Sequence, residues 1–438
     1  MGLFLAIGLL SFQLDRGVQK RDEPNFTGQH LRSLNHGQPF RYQGPRSVPG
    51  QVLVKFKPTF SLQSIQTTIA AYETKAIRKI PRIDVYQLQV PSYYTVDQMV
   101  AALRQNPNVQ YAEPNYIAHI CVAPNDEFFA RQWALSNPGN VLGIPGSPEG
   151  KAGADIKAMT TWGETEGDAG TVIAVVDTGV DLLHPDIKNK VVNSGRDFVN
   201  NDFDATDDNG HGTHVAGIAA AETNNQQGIA GVAWNCKILP IKVIDKDGAG
   251  LYSWLIDGII YAADNGAQVI NLSLGGDAYS DALKDAVSYA NGKGLIEAAA
   301  VGNDGVAVLY PAAFDDYVLA VAATDYTDAA ADFSNVGSQV DVAAPGVEIL
   351  SLVPTWYFGP SSVPYGFGSG TSVATPHVSG LAALIKSLKP WLKPAEIMNI
   401  IRYSADDVNS TTFPGKDDHI GYGRINMEKA LVPRQVTK

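Results

Sequence analysis

From residue 122 onward, continuous apolar runs alternate with segments of helical spacing. Val172–Val176 (VIAVV), Ile238–Val243, Val269–Leu274 and Leu319–Ala323 lack the in–out alternation of a strand with one wet face. Between them, His214–Ala221, Ser253–Asn265 and Asp281–Asn291 carry apolar residues at helical intervals. Strands that are apolar on both faces and separated by helices predict an α/β domain in three layers, α/β/α, with a mostly parallel central sheet. In such a domain, ligands bind beyond the C-terminal ends of the strands.

Residues 47–120 follow a different rhythm. Gln51–Lys57 alternates as a strand, and Leu62–Thr74 has helical spacing. Ile77–Ile80 and Val85–Val90 flank a turn at Pro81-Arg82. Thr95–Gln105 reads as a second helix and Val109–Pro114 as a last strand. The order β-α-β-β-α-β predicts a small ferredoxin-like α+β domain. Its core is marginal at roughly 70 residues, so it is expected to lean on the larger domain. Ahead of it, Leu3–Leu10 (LFLAIGLL) resembles the apolar region of a signal peptide, without the positive start or a small-residue cleavage site. Residues 11–46 are polar and aperiodic, a flexible leader. The expected boundaries are therefore 1–46, 47–120 and 121–438, with a loose tail from residue 430.

Charge sharpens this division. The chain has 438 residues and a net charge of −12. Residues 1–120 hold 13 Lys and Arg against 7 Asp and Glu, and the remainder 20 against 38. A basic segment ahead of an acidic domain implies mutual attraction. The acidic balance argues against nucleic acid as a partner. No apolar run approaches the ~18 residues of a membrane span. Cys121 and Cys236 are too few for a disulfide framework, and either a bridge or two free thiols is compatible with them.

Three short motifs carry candidate chemistry. Asp177 ends the run VIAVV, where either a turn or a function accounts for it; a D-T-G aspartic peptidase would need a second such motif, and none is present. His211 and His214 lie in N-G-H-G-T-H-V-A-G. His211, after Gly210, is the better placed base, and His214 reads as structural. Ser372 lies in G-T-S-V-A-T-P-H, after a glycine-rich loop and at the start of a helix rich in small residues. Pro376 is expected in that helix's first turn, where its missing N–H costs nothing. A helix N-terminus suits an oxyanion forming beside the serine.

Taken together, V-D-T-G, H-G-T-H-V-A-G and G-T-S-x-A-T-P-H resemble the subtilisin-like serine peptidases, in that family's Asp, His, Ser order. V-A-P-N-D near residue 124 and T-N-N-Q-Q-G-I-A-G at 223–231 resemble its thermitase branch. The resemblance implies a subtilisin-like fold and a serine endopeptidase, with Ser372 as nucleophile, His211 as base and Asp177 orienting the imidazole. It implies Asn303 as oxyanion donor, and Gly248, Ala249, Gly250, Ser273, Leu274 and Gly275 as edges that pair with peptide main chain. Tyr252 and Leu255 would line an outer apolar pocket, and Leu309 the floor of the primary one. Structural calcium is implied at Asp126, Asp186, Glu222, Asn225, Gln227 and Ile229, with a second site at Asp197 and Asp202. The expected partners are protein and peptide substrates and the chain's own residues 47–120, an inhibitory propeptide cut between about 118 and 123. A secreted monomer with broad specificity follows. A catalytically silent relative, with residues 47–120 as a permanent plug, is the competing class; the intact Asp177, His211, Ser372 and Asn303 argue against it. Glu297 departs from the family pattern: it falls in the apolar run Leu295–Ala300, where a carboxyl without a partner is costly.

Overall fold

A computed structural model describes residues 4–6, 47–117, 123–140, 148–357 and 363–431. The chain divides into two compact units, residues 28–121 and the remainder. Most of the leader, the expected propeptide cut and the tail beyond residue 431 lie outside the described residues.

The small unit has the expected order. Ser47–Phe56, Lys75–Ile80, Val85–Gln89 and Val109–Tyr116 form an antiparallel sheet, with Ser47–Phe56 between the last two. Leu62–Ala71 is capped by the Ser61 hydroxyl, and Val96–Arg104 by a reciprocal pair between Thr95 and Gln98. Such caps satisfy amide groups that the first helical turn leaves unpaired. Alternate residues of the strands (Val52, Val54, Leu88, Ala112) meet Met99 and Leu103 of the second helix in one small core.

The large unit is built on a seven-stranded parallel sheet among the described residues. Its order is Val342–Pro345, Val318–Thr324, Ile296–Ala300, Val269–Leu272, Val172–Asp177, Lys237–Lys242 and Arg196–Asp197. Side chains of Val172–Asp177 alternate between two cores: Ile173 and Val175 face one, Ala174 and Val176 the other. The helices His211–Ala220 and Thr371–Leu388 supply the first layer. Tyr252–Asp264 and Asp281–Gly292 supply the second. This is the three-layer α/β/α architecture expected of the sequence. After Val172–Asp177 the chain adds strands on one side, then crosses to add Val269–Leu272 and the rest on the other. The loops at the ends of those two strands therefore diverge and open a crevice.

Two differences from the sequence expectation have local causes. The helix expected over His214–Ala221 starts three residues earlier, at His211, because Gly210 (φ 114°) turns the chain into it. The strand Val342–Pro345 and the hairpin of Ile349–Leu352 with Tyr365–Gly368 were not expected. Each strand has four residues, too short for periodicity to register.

Glu297 lies inside the sheet, opposite Ile270 and Val318. It is fully buried, and neither carboxyl oxygen has a hydrogen-bond partner among the described residues. Burial pushes its pKa well above the ordinary value, which favours the protonated form. The unfolded chain releases this proton near the ordinary carboxylate pKa while the folded chain keeps it. Stability is therefore lost as pH rises through the interval between the two, by roughly 1–1.5 kcal/mol per pH unit from this group. In thermal melts of a Ser372→Ala background from pH 5 to 9, Glu297→Leu is expected to raise the melting temperature, with the gain growing towards alkaline pH. Glu297→Gln is expected to flatten the pH dependence.

Candidate active site

Asp177 is the last residue of its strand and fully buried. Its Oδ1 lies 2.7 Å from Nδ1 of His211, which opens the helix packed against the strand. A carboxylate at Nδ1 holds the proton there and leaves Nε2 as acceptor. The two elements approach closely because Gly212 has no side chain: a β-carbon there would lie 2.1 Å from the Gly179 carbonyl oxygen and 3.2 Å from Cβ of Asp177.

Two further buried charges hold this arrangement. The Asp207 carboxylate accepts five hydrogen bonds, from Thr178 Oγ1 (2.8 Å), the amides of Asn209 (3.0 Å), Gly210 (2.8 Å) and Thr213 (2.9 Å), and Thr213 Oγ1 (2.6 Å). Burial still raises its pKa, only partly offset by these bonds. Lys242, 1% exposed, donates to the carbonyls of Thr178 (2.9 Å) and Ile244 (2.8 Å) and to Asp208 (2.6 Å). One ammonium thus joins the loop after Asp177, the loop after its own strand and the loop leading to His211.

Ser372 is the second residue of the helix Thr371–Leu388, which is buried from Thr371 to Ile385. Pro376 sits in the second turn, not the first as expected. Its missing N–H would have bonded the Ser372 carbonyl. The Ser273 hydroxyl donates to that carbonyl instead, at 2.6 Å. Ser273 in turn accepts from Asn271 Nδ2 (2.9 Å), whose Oδ1 accepts from Ser379 (2.8 Å) on the same helix. The gap that proline opens is closed by a fully buried polar chain, which is why it is tolerated there.

Ser372 Oγ and His211 Nε2 are both buried and have no hydrogen-bond partner among the described residues. Oδ1 of Asn303 accepts from the Thr371 amide (2.8 Å) and hydroxyl (2.9 Å), which leaves Nδ2 as the free end. A β-carbon on Gly370 would lie 3.1 Å from Ser372 Oγ and 3.2 Å from Asn303 Nδ2. The glycine therefore leaves room for a small group between the hydroxyl and the amide. His214, on the inner side of its helix, is pushed down to about 3, mainly by burial and then by the His211 charge, so it is neutral.

The main-chain edges flank this centre. Ala249–Leu251 is a short strand already carrying an antiparallel partner, Phe4–Ala6, with Leu5 opposite Gly250. Ser273, Leu274 and Gly275 leave the sheet just beyond Leu272. Leu309 lies against both Gly275 and Gly302: β-carbons there would each be 2.9 Å from its side chain. Tyr252 is half-buried and donates to the Ala278 carbonyl at 2.8 Å. Leu255, expected to line an outer pocket, is wholly buried in the second core. Leu255 packs in the core of its helix, and Tyr252, one turn earlier, is partly exposed.

The residues expected to bind cations fall in two places. Asp126 and Asp186 are buried near one another. Asp186 accepts from Asn225 Nδ2 (2.7 Å) and the Ile229 amide (3.0 Å), and Asp126 from the Asn224 amide (2.9 Å). Burial pushes Asp126 up to about 6 and Asp186 to about 7, and Asp126 and Glu222 raise Asp186 further. Two buried carboxylates with negative neighbours fit a hard cation. Glu222 accepts from the Asn189 amide (3.1 Å), and the Gln227 amide donates to Asn225 Oδ1 (2.8 Å). At the second place, Asp197 and Asp202 pair through their backbones. Asp197 spends its carboxylate on the amides of Val199 (2.7 Å) and Asn200 (2.9 Å) and on Asn200 Nδ2 (2.8 Å). The Arg196 guanidinium donates to the Asp202 carbonyl and Asn201 Oδ1, and lies 4.8 Å from the centre of the Phe203 ring. Arg196 thus brings a cation of the chain's own into the loop.

Comparison with known proteins agrees with this geometry. Residues 168–423 match the subtilase family model, and residues 42–115 that of the fervidolysin N-terminal prodomain. The chain belongs to the subtilase family. It is 41% identical over 384 residues to the thermophilic serine proteinase of Bacillus sp. (strain AK1), covering 88% of each chain. It is 46% identical over 278 residues to thermitase of Thermoactinomyces vulgaris, covering 63% of this chain and 93% of that one. Fervidolysin from Fervidobacterium pennivorans, described as a keratinolytic enzyme related to subtilisin, superposes with a TM-score of 0.59 at 29% identity, over 90% of this chain and 62% of that one. This subtilase is a serine endopeptidase with an N-terminal prodomain.

Sequence reasoning missed Asp207 and Lys242. Asp207 had a signal, since an acidic residue before N-G-H sits where a helix start needs an acceptor. Lys242 had none: a lysine at a strand end reads as solvated. Lys242→Met removes three hydrogen bonds and leaves their acceptors without the ammonium. Loss of a buried charge partner typically costs ~3–5 kcal/mol. The variant is expected to melt well below wild type and to hydrolyse peptides with reduced kcat at little changed KM. Asp208→Asn, which keeps an acceptor, is expected to lose much less in both measurements.

Proposed function

We propose that this subtilase is a secreted endopeptidase of broad specificity, stabilised by calcium and made as a self-processing zymogen. The observation that carries the reading is a buried imidazole oriented by Asp177 at 2.7 Å, whose Nε2 is uncommitted alongside an uncommitted Ser372 hydroxyl at a helix N-terminus. Ser372 Oγ attacks the peptide carbonyl while His211 Nε2 takes its proton. The imidazolium is stabilised by Asp177 and returns the proton to the leaving amine. The tetrahedral oxyanion is held by Asn303 Nδ2 and a backbone amide at the start of the Ser372 helix. Water, deprotonated by His211, then hydrolyses the acyl-enzyme.

Broad specificity follows from recognition through main chain. The strand Ala249–Leu251 accepts an antiparallel neighbour through backbone hydrogen bonds, whatever that neighbour's side chains. Leu309 restricts the primary pocket towards smaller apolar residues. Secretion is supported by the apolar run Leu3–Leu10. Calcium would be held by Asp126, Asp186 and Asn225 with carbonyls near Glu222, Gln227 and Ile229. When bound, it supplies positive charge to two buried carboxylates and ties the start of the mature chain to the body.

The propeptide, residues 47–120, is proposed to inhibit until cut between about 118 and 123. Intact mass and N-terminal analysis tests this together with the mechanism. Wild type is expected to appear as two pieces, Ser372→Ala as one uncut chain without activity on casein. Asn303→Ala is expected to lose roughly 10²–10³-fold in kcat, the range found when a subtilisin loses one oxyanion donor. Casein cleavage by pure Ser372→Ala overturns the mechanism, and full activity with residues 47–120 still attached overturns the zymogen.

For calcium, ligand binding to the folded state alone raises stability by mass action. Chelation of Ser372→Ala protein is expected to lower its melting temperature, and Asp186→Asn to remove the difference between chelated and calcium-loaded samples. Identical melts of the parent with and without calcium would exclude the site.

A further inference from the structure

Three exposed apolar side chains, Leu183 (81% exposed), Trp356 (49%) and Tyr357 (39%), stand beside the His211 loop. They are not loosely hung. The Trp356 indole N–H donates to the Asp207 carbonyl at 3.0 Å, three residues before Gly210, the N-cap of the His211 helix. The buried Asp181 carboxylate accepts from the Thr355 amide (2.8 Å) and hydroxyl (2.7 Å) on one oxygen and from the Leu183 amide (3.0 Å) on the other. The Asp181 amide donates to Thr213 Oγ1 on the His211 helix at 2.8 Å. The Trp356 and Tyr357 rings are tilted together, 5.7 Å between centroids. The Trp356 indole N–H is thus fixed to the catalytic loop while its ring and the Leu183 and Tyr357 side chains stay largely exposed, an arrangement that suits contact with another apolar group.

The side of the site on which they stand follows from two contacts. Asn209 Nδ2 donates to the Lys246 carbonyl at 3.1 Å, so the peptide-pairing edge that begins at Gly248 abuts one flank of the His211 loop. Pro354 closes the other flank, 3.4 Å from where a β-carbon on Gly210 would lie. In the proposed function, the edge at 248–250 pairs with the residues ahead of the bond to be cut. The amine released from that bond receives its proton from His211, so the chain beyond it runs past the histidine to the opposite flank.

We infer that Leu183, Trp356 and Tyr357 form a subsite for an apolar or aromatic side chain among the first three residues after the scissile bond. The inference rests on the assignment of Ser372, His211 and Asp177 as the catalytic centre, and it adds a preference on the leaving-group side.

The test uses the processed enzyme and two substrate series with one common sequence ahead of the cleaved bond. Internally quenched peptides carry Ala, Asp, Leu or Phe at each of the three following positions. A peptidyl methyl ester carries nothing beyond the bond except methoxide. Wild type is expected to favour Phe or Leu over Ala at one of the positions by about tenfold in kcat/KM. Trp356→Ala and the pair Leu183→Ser with Tyr357→Ala are expected to reduce that ratio to near one, with ester hydrolysis within about twofold of wild type. The subsite is overturned if wild type shows no apolar preference at any position, or if the preference survives both variants. It is also overturned if ester hydrolysis falls in step with peptide hydrolysis, since the aromatic pair would then act only by supporting the His211 loop. Failure of wild type to hydrolyse either series would overturn the catalytic assignment instead.

Discussion

One carboxylate, that of Asp207, decides whether the site exists. It is fully buried and holds five donors from three places: the residue after Asp177, the turn before His211 and the first turn of the His211 helix. A strand end and a helix start are brought together by van der Waals contact at Gly212, but contact alone fixes no angle. Five convergent bonds do. The 2.7 Å approach of His211 to Asp177 then follows as geometry. The ammonium of Lys242 does for the neighbouring loops what Asp207 does for the helix, by satisfying two carbonyls that have lost their regular partners.

The interior polar groups of this subtilase fall into two populations. Asn271, Ser273, Ser379 and Thr213 are bonded to one another or to backbone, as buried polar groups ordinarily are. Among the described residues, His211 Nε2 and Ser372 Oγ are not. In the proposed mechanism, their unspent capacity is what the reaction uses. Glu297 is also unsatisfied, yet it lies within the sheet among Ile270, Val318 and Ala299, where nothing arrives to relieve it. Similar isolation thus has opposite meanings in the two places, and only the position in the fold tells them apart.

The layered fold and the small unit were legible because apolar periodicity is a property of long segments. VIAVV and the alternation of Gln51–Lys57 report burial directly. The residues around Asp177, His211 and Ser372 were legible for another reason: glycines and short polar residues cluster where backbone must approach backbone. What stayed hidden depends on contacts between distant segments. Pro376 was placed one turn too early because the helix start at Thr371 is set by Asn303, 68 residues away. The expected pairing of Asp197 and Asp202 around a cation did not foresee that Arg196 would reach into the same loop.

The bond from Ser273 to the Ser372 carbonyl has a mechanical side. Ser273 begins the segment expected to bind the peptide main chain, and its hydroxyl also fixes the backbone of the nucleophile. Substrate register and nucleophile position are therefore measured from a common origin. A small sliding of the sheet against the buried helix would carry both along, and the alignment between bond and hydroxyl would survive. Thermal agitation that is ruinous to a site assembled from independent parts becomes, here, a motion the two reacting groups share.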